Sequence, residues 1–329
     1  MIRINISEEK IQEIEKLHWD WFKKEKLKNW IDKINKTKSF QDIFFDNNGF
    51  AQWFDKEPKE STLKWFKKQS EQKFDVFKEF IIGKNILNKC KVLTNKEFSY
   101  FINQYEEFRT YKIDEWNGTT LLNMIGLKVC PYCNRSYLTI IDNNGSLEAT
   151  AQLDHFYSKK DYPYLALNLY NLIPSCGVCN YIKFDNEKEL IYPYKEKFGE
   201  NAKFTIDFSN KELDEKYDLN VLLGLSDNLC IDFNINKDSD NKIKNSIETF
   251  KLDKIYSTNH RDYVKDLIRK AIIYNESRID ELYNQYASLF SSKDEVWIMV
   301  LGNYINPDDL GKRPLAKLTK DIMDELGIK

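Results

Sequence analysis

The chain has 329 residues, 42% hydrophobic and 14% aromatic, a globular composition with room for two or three domains and at least one substantial core. Its 50 Lys and Arg nearly cancel 52 Asp and Glu, so no global basic field exists, and a nucleic-acid partner must be held through local patches or a metal. No run approaches the ~20 apolar residues of a membrane helix, and the opening MIRINISEEKIQ is charged where a secretory core is apolar. A cytoplasmic protein with no membrane partner is therefore expected.

The first 120 residues read as helical. Ser7 is placed to cap a helix whose apolar positions Ile11, Ile14, Leu17, His18, Trp21, Leu27, Trp30, Ile31 and Ile34 follow the 3.6-residue period. Further helices are expected around 60–83 and 95–108. Residues 64–91 interleave lysines with Trp65, Phe66, Phe74, Phe77 and Phe80. That pattern fits a helix with a wet lysine face and an aromatic core face, or a nucleic-acid contact.

The pattern changes near Val129. SYLTIIDNNGSLEATAQLD gives two β-rich runs around Asp142-Asn143-Asn144-Gly145, where Asn-Gly is a hairpin signal because both residues tolerate positive φ. A short helix is expected to begin near Gly177 and to carry Asn180 and Lys183. Strands are expected at KFTIDF and LCIDFNI. A long helix should follow Asn259, with Val264, Leu267, Ile268, Ala271, Leu282 and Tyr286 on one face and a break near Asn275. The fold class is α+β: a mainly helical protein divided into a helical region 1–120, a central core 121–195 and a mixed, mostly helical region 196–329.

Six cysteines are too few for a disulfide scaffold. Four of them form Cys130-Pro131-Tyr132-Cys133 and Cys176-Gly177-Val178-Cys179. Each pair suits a knuckle in which two thiolates reach one ion from a tight turn, and two knuckles supply the four sulfurs of a closed, structural Zn²⁺ site. Buried free thiols or a redox pair are the alternatives. Cys90 and Cys230 lack partners at ligand spacing and read as packing residues.

Between the knuckles lies Asp154-His155, at the expected end of a strand. Asp offers a hard oxygen suited to Mg²⁺, and a neutral imidazole is a good base near pH 7. His18 falls on the stripe of the first helix and reads as a core-edge residue, and His260 as the start of a helix.

The order Cys-x-x-Cys, Asp-His, Asn-Leu, Cys-x-x-Cys, Asn and Lys across 129–185 resembles the HNH endonucleases, the zinc-braced ββα-metal or His-Me finger nucleases. CPYCNR, LDHFYSKKDYPYLALNLYNLIPSCGVCN and FKLDKIYSTNHRDYV are similar to the HNH proteins of bacterial antiphage systems such as the Septu and retron-associated nucleases, which work beside an ATPase. The resemblance implies a nuclease that hydrolyses phosphodiester bonds in DNA as a defence effector with a partner ATPase. It implies His155 as general base, Asp154 and Asn180 as ligands of a catalytic Mg²⁺ or Mn²⁺, and Asn171 as the residue that orients the histidine loop, with Asn168 its competitor. Lys183, Arg135, Lys159 and Lys160 are the implied phosphate contacts. The family often has Gly after the final Lys, where Phe184 stands here. Residues 121–195 balance acid against base, so grip on a substrate must come from a metal, a few lysines, the flanking regions or a partner. A zinc-ribbon nucleic-acid-binding module without catalysis is the alternative reading.

Overall fold

A computed structural model describes residues 1–25, 78, 80–88, 92, 99–110, 115–184, 186, 188–209 and 218–328. The expected helix around 60–83 lies outside these residues up to 77, as do Leu27, Trp30, Ile31, Ile34, most of the lysine-aromatic stretch and Cys90. The described chain is α+β, with helices and three two-stranded sheets. It divides into two compact units, each assembled from separated segments. One comprises Asn5–Gly126 and Thr139–Pro174; the other comprises Met1–Ile4, Leu127–Leu138 and Ser175–Lys329.

In the first unit, α1 (Glu8–Glu25) starts where the Ser7 hydroxyl accepts from Lys10 N–H. Glu8 and Glu9 at its start and Lys23 and Lys24 at its end complement the helix dipole. Its buried stripe is Ile11, Ile14, His18 and Phe22, at spacings of three, four and four. Leu17, expected on that stripe, is 38% exposed. The next helix, α2 (Ser99–Phe108), buries Tyr100, Phe101, Gln104, Tyr105 and Phe108. Phe22 and Phe101 stack with ring centroids 6.3 Å apart, and Phe108 lies 4.9 Å from Trp21. Full burial of a phenylalanine such as Phe101 contributes about 2–3 kcal/mol, so this aromatic cluster is the main apolar stabiliser of α1 against α2.

A reciprocal capping box between Asn117 and Thr120 opens α3 (Gly118–Ile125), and Gly126 closes it in the left-handed conformation. The hairpin follows as expected: β1 (Ile140–Asn143) and β2 (Ser146–Ala149) pair antiparallel from Ile140↔Ala149 to Asn143↔Ser146. Asn144 (φ 53°) and Gly145 (φ 91°) form the two-residue turn, with positive φ at both positions. Strand β3 (Ala151–His155) pairs with β4 (Leu172–Cys176), through which the chain passes into the second unit.

The second unit opens with α4 (Gly177–Lys183), which begins at Gly177 as the sequence leads one to expect. Its C-cap, Phe184, has φ 36° and ψ −133°, a region that favours glycine. Strands β5 (Ala202–Asp207) and β6 (Cys230–Ile235) pair antiparallel over their full length, with α5 (Leu219–Leu222) between them in sequence. Alternation along β5 turns Ala202, Phe204 and Ile206 inward. Helices α6 (Asn241–Thr249) and α7 (Leu252–Asn259) bring Phe250 and Tyr256 into the core, where Tyr132 stacks on Phe250 at 4.5 Å and Phe204 lies 4.4 Å from Tyr256.

His260 sits at the N-cap of α8 (Arg261–Ile273), whose buried face is Val264, Leu267 and Ile268. The expected break falls at Asn275, which caps α9 (Glu276–Gln285) by accepting from Arg278 N–H. Tyr286, expected on the apolar face, is exposed. Helices α10 (Lys293–Leu301) and α11 (Ala316–Glu325) complete the unit.

Candidate functional site

The thiols come together within the second unit. Val129 bridges Tyr137, Cys130 N–H donates to Ser136 O, and Asn134 N–H donates to Cys130 O at 2.8 Å, closing the Cys-Pro-Tyr-Cys turn with Asn134 at φ 50°. Cys176 ends β4 and Cys179 lies in the first turn of α4, where its N–H points at Cys176 Sγ at 3.5 Å. All four residues are buried and their sulfurs lie within 4.8 Å of one another. Among the described residues this is the one group of three or more His, Cys, Asp or Glu that could hold a metal. The described cysteines form no disulfide.

Geometry and chemistry fit a tetrahedral cation. Zn–S bonds of about 2.3 Å place tetrahedral sulfurs about 3.8 Å apart, and Cys133 Sγ and Cys176 Sγ are 3.9 Å apart. Burial pushes the Cys130 thiol up, whereas its hydrogen bond draws Cys133 down to about 7. Four thiols ionise unevenly on their own; a dication holds all four as thiolates. The arrangement thus suits a metal such as zinc.

Around the cluster the second unit is tied to its own knuckle. Tyr256 Oη donates to Cys133 O at 2.6 Å. Asn134, buried, donates from Nδ2 to Leu310 O and accepts at Oδ1 from Lys317 N–H, both at 2.8 Å. Lys317 is itself buried and donates to Asp321, Gly199 O and Ala202 O.

Asp154, His155 and Asn171 belong to the first unit. Along β3, Leu153 and Asp154 are both buried, so the strict in-out alternation ends before His155. Asp154 is 4% exposed, and His155 is half-buried. His155 Nε2 lies 2.9 Å from Ala166 O. A carbonyl only accepts, so Nε2 carries a hydrogen, and in the neutral form of the ring the lone pair is on Nδ1. Tyr105 stands edge-on to the imidazole, with centroids 4.3 Å apart, and its hydroxyl donates to Leu153 O at 3.0 Å. Burial raises the Tyr105 pKa, which keeps that hydroxyl a donor.

Asn171 is fully buried and brackets the turn after His155. Its Oδ1 accepts from Tyr157 N–H at 2.8 Å, and its Nδ2 donates to Tyr157 O at 3.1 Å and Leu165 O at 3.0 Å. Its own carbonyl accepts from Phe156 N–H at 2.8 Å. Asn168 acts elsewhere, capping the 3₁₀ turn at Tyr170 and Asn171 and donating to Phe80 O and Gly83 O.

The implied phosphate contacts are placed unequally. Lys159 pairs with Glu106 at 2.6 Å and lies over the Tyr105 ring, while Lys160 is exposed. Asn180 is half-buried on α4, but Lys183 is 4% exposed, its side chain packed into the second unit. Arg135 is half-buried, with a buried Nε that has no hydrogen-bond partner, and its charge adds to burial in lowering the His260 pKa.

Tyr105 and His18 are the residues that reading along the chain did not connect to this region. The aromatic face of the expected helix at 95–108 was the one available signal for Tyr105. His18, expected at a core edge, is wholly buried; Trp116 Nε1 donates to its Nδ1 at 3.0 Å and its Nε2 lies 2.8 Å from Leu167 O. No family model matches this sequence, and no curated protein or solved structure matches it either.

Proposed function

We propose that this protein is a metal-dependent endonuclease of the HNH type that hydrolyses phosphodiester bonds in DNA, acting as an antiphage defence effector beside a partner ATPase. The observation that carries this reading is His155: its Nε2–H is committed to Ala166 O, which leaves Nδ1 as the basic nitrogen. Asn171 supports it by fastening both ends of the loop, Tyr157 on one side and Leu165 on the other.

In the reaction, Nδ1 takes a proton from water as the water oxygen bonds to phosphorus and the P–O3′ bond breaks; the leaving 3′ oxygen gains a proton from solvent. On this reading Asp154 would offer its carboxylate to one Mg²⁺ or Mn²⁺, which would supply positive charge for the scissile phosphate; Asn180, the other implied ligand, lies in the second unit. Tyr105 stands edge-on to the imidazole and would limit its rotation. Arg135, Lys160 and Lys183 are the implied phosphate contacts, with Lys159 recruited once it exchanges Glu106 for a phosphate. The four cysteines would hold a structural Zn²⁺, since four thiolates leave such an ion no position for water.

A zinc-ribbon module without catalysis requires the thiols alone and gives no role to the Asp154-His155 pair. The deciding experiment incubates the purified protein with plasmid, linear and single-stranded DNA and RNA, with and without Mg²⁺ or Mn²⁺, beside His155→Ala. Divalent-dependent cleavage abolished in the variant is expected. Equal cleavage by the variant removes His155 as the base.

A further inference from the structure

Three consecutive carbonyls in the first unit each accept from a side chain. Leu165 O accepts from Asn171 Nδ2 at 3.0 Å, Ala166 O from His155 Nε2 at 2.9 Å and Leu167 O from His18 Nε2 at 2.8 Å. Leu165, Ala166 and Leu167 are all fully buried, so none of these oxygens has bulk water as a substitute partner. His18 arrives from α1 and His155 from β3, and the two imidazoles grip adjacent peptide groups.

The His18 tautomer is fixed from its other side. An indole N–H only donates, so Trp116 Nε1 at 3.0 Å requires the lone pair on His18 Nδ1 and the hydrogen on Nε2. Burial keeps this ring neutral, with a pKa of about 4. Peptide groups are planar, and successive planes turn only about the intervening Cα. Clamping the Leu167 carbonyl therefore narrows the rotation open to the Ala166–Leu167 peptide, and with it the direction of Ala166 O.

We propose that His18 is a positioning residue for His155. Held in one tautomer by Trp116, it fixes the Leu167 carbonyl and so aims the Ala166 carbonyl that selects the Nε2–H form of His155. The role of this tautomer in cleavage rests on the nuclease reading; the alignment itself does not.

The test uses the full-length protein labelled with ¹⁵N-histidine, whose three histidines give resolvable ring signals. Trp116→Phe removes the donor to His18 while keeping an aromatic ring at a half-buried position. His18→Leu removes the clamp, and His18→Gln restores a side-chain N–H toward Leu167 O. In the wild type His155 is expected as the Nε2–H tautomer. In Trp116→Phe and His18→Leu the ratio of tautomers should move by about tenfold, the equivalent of one hydrogen bond, and His18→Gln should return it. Cleavage should fall on the order of 10- to 100-fold in the first two variants and recover in the third. A melting curve for each variant separates these effects from unfolding. An unchanged His155 tautomer in folded Trp116→Phe and His18→Leu overturns the proposal. Should His155→Ala cleave at the wild-type rate, the nuclease reading fails, and the ¹⁵N signals still decide whether His18 sets His155.

Discussion

Asn171→Ala tests whether the histidine loop is held by one side chain. The substitution removes bonds of 2.8, 3.1 and 3.0 Å and leaves Tyr157 N–H, Tyr157 O and Leu165 O without those partners. Each bond is worth about 1 kcal/mol net, and a buried polar group left unsatisfied costs about 1–3 kcal/mol. Leu165 O keeps the Asn168 N–H at 3.1 Å and Tyr157 is half-buried, so lost bonds with partial penalties at Tyr157 are expected, about 2–4 kcal/mol in all. Urea unfolding followed by tryptophan fluorescence reads this directly, because Trp19, Trp21 and Trp116 lie in the same unit. Asn171→Asp sharpens the test. It keeps the acceptor for Tyr157 N–H and replaces the one nitrogen that donates twice with an oxygen facing both carbonyls, so it should destabilise nearly as much at neutral pH. A loss below about 1 kcal/mol for Asn171→Ala would refute the bracketing argument, because it would mean that water or a backbone shift satisfies both Tyr157 groups.

Cys176→Ser should lose bound zinc, read by elemental analysis, and lower the melting temperature; full stability with normal zinc content contradicts the four-thiolate clamp. His18 is neutral in the fold, with a pKa of about 4 against 6.5 when unfolded, so the unfolded chain binds the extra proton between these values. Its contribution is complete above pH 6.5 and declines as pH falls toward 4 by about 3 kcal/mol, a slope that His18→Gln should remove in pH-dependent unfolding. Lys317→Met should cost about 3–5 kcal/mol in chemical denaturation, because it strands the buried Asp321 carboxylate and removes the donor to Gly199 O and Ala202 O. Phe184→Gly should stabilise by about 1 kcal/mol, since Phe184 is 75% exposed and held at φ 36°; a lower unfolding midpoint would show that its ring makes a contact worth more than the strain.

Local signals were readable wherever the chemistry is local. Asn144-Gly145 turns the hairpin because of its own dihedral freedom, Asn275 breaks the long helix because its side chain caps the next one, and the alternation of KFTIDF gives β5 its inward face. Two Cys-x-x-Cys pairs announce a four-sulfur cluster because a knuckle is a four-residue turn. What failed depended on partners far along the chain. Leu17 fits the helical period as well as Phe22 does, but α2 presents its aromatic face to Phe22, and no spacing within α1 records that. The burial of Lys183 is likewise set by packing around α4 that no local pattern records.

The same limit explains the assignment of the histidines. Read alone, His155 beside Asp154 looks chemical and His18 on a helical stripe looks like packing. Contact changes the weighing: His18 meets Leu167 across 149 residues and Trp116 across 98, and its carbonyl partner adjoins that of His155. A histidine with a donor on one nitrogen and an acceptor on the other has its tautomer settled by geometry, and a settled tautomer is a constraint it passes to its neighbours. Asn134 repeats the logic in the second unit, where a residue adjoining a metal knuckle takes the left-handed conformation and uses its amide to anchor Leu310 and Lys317. In both units the candidate residue, thiol or imidazole, is legible from its neighbours in sequence, whereas the residue that anchors its surroundings is defined only by the elements that meet around it.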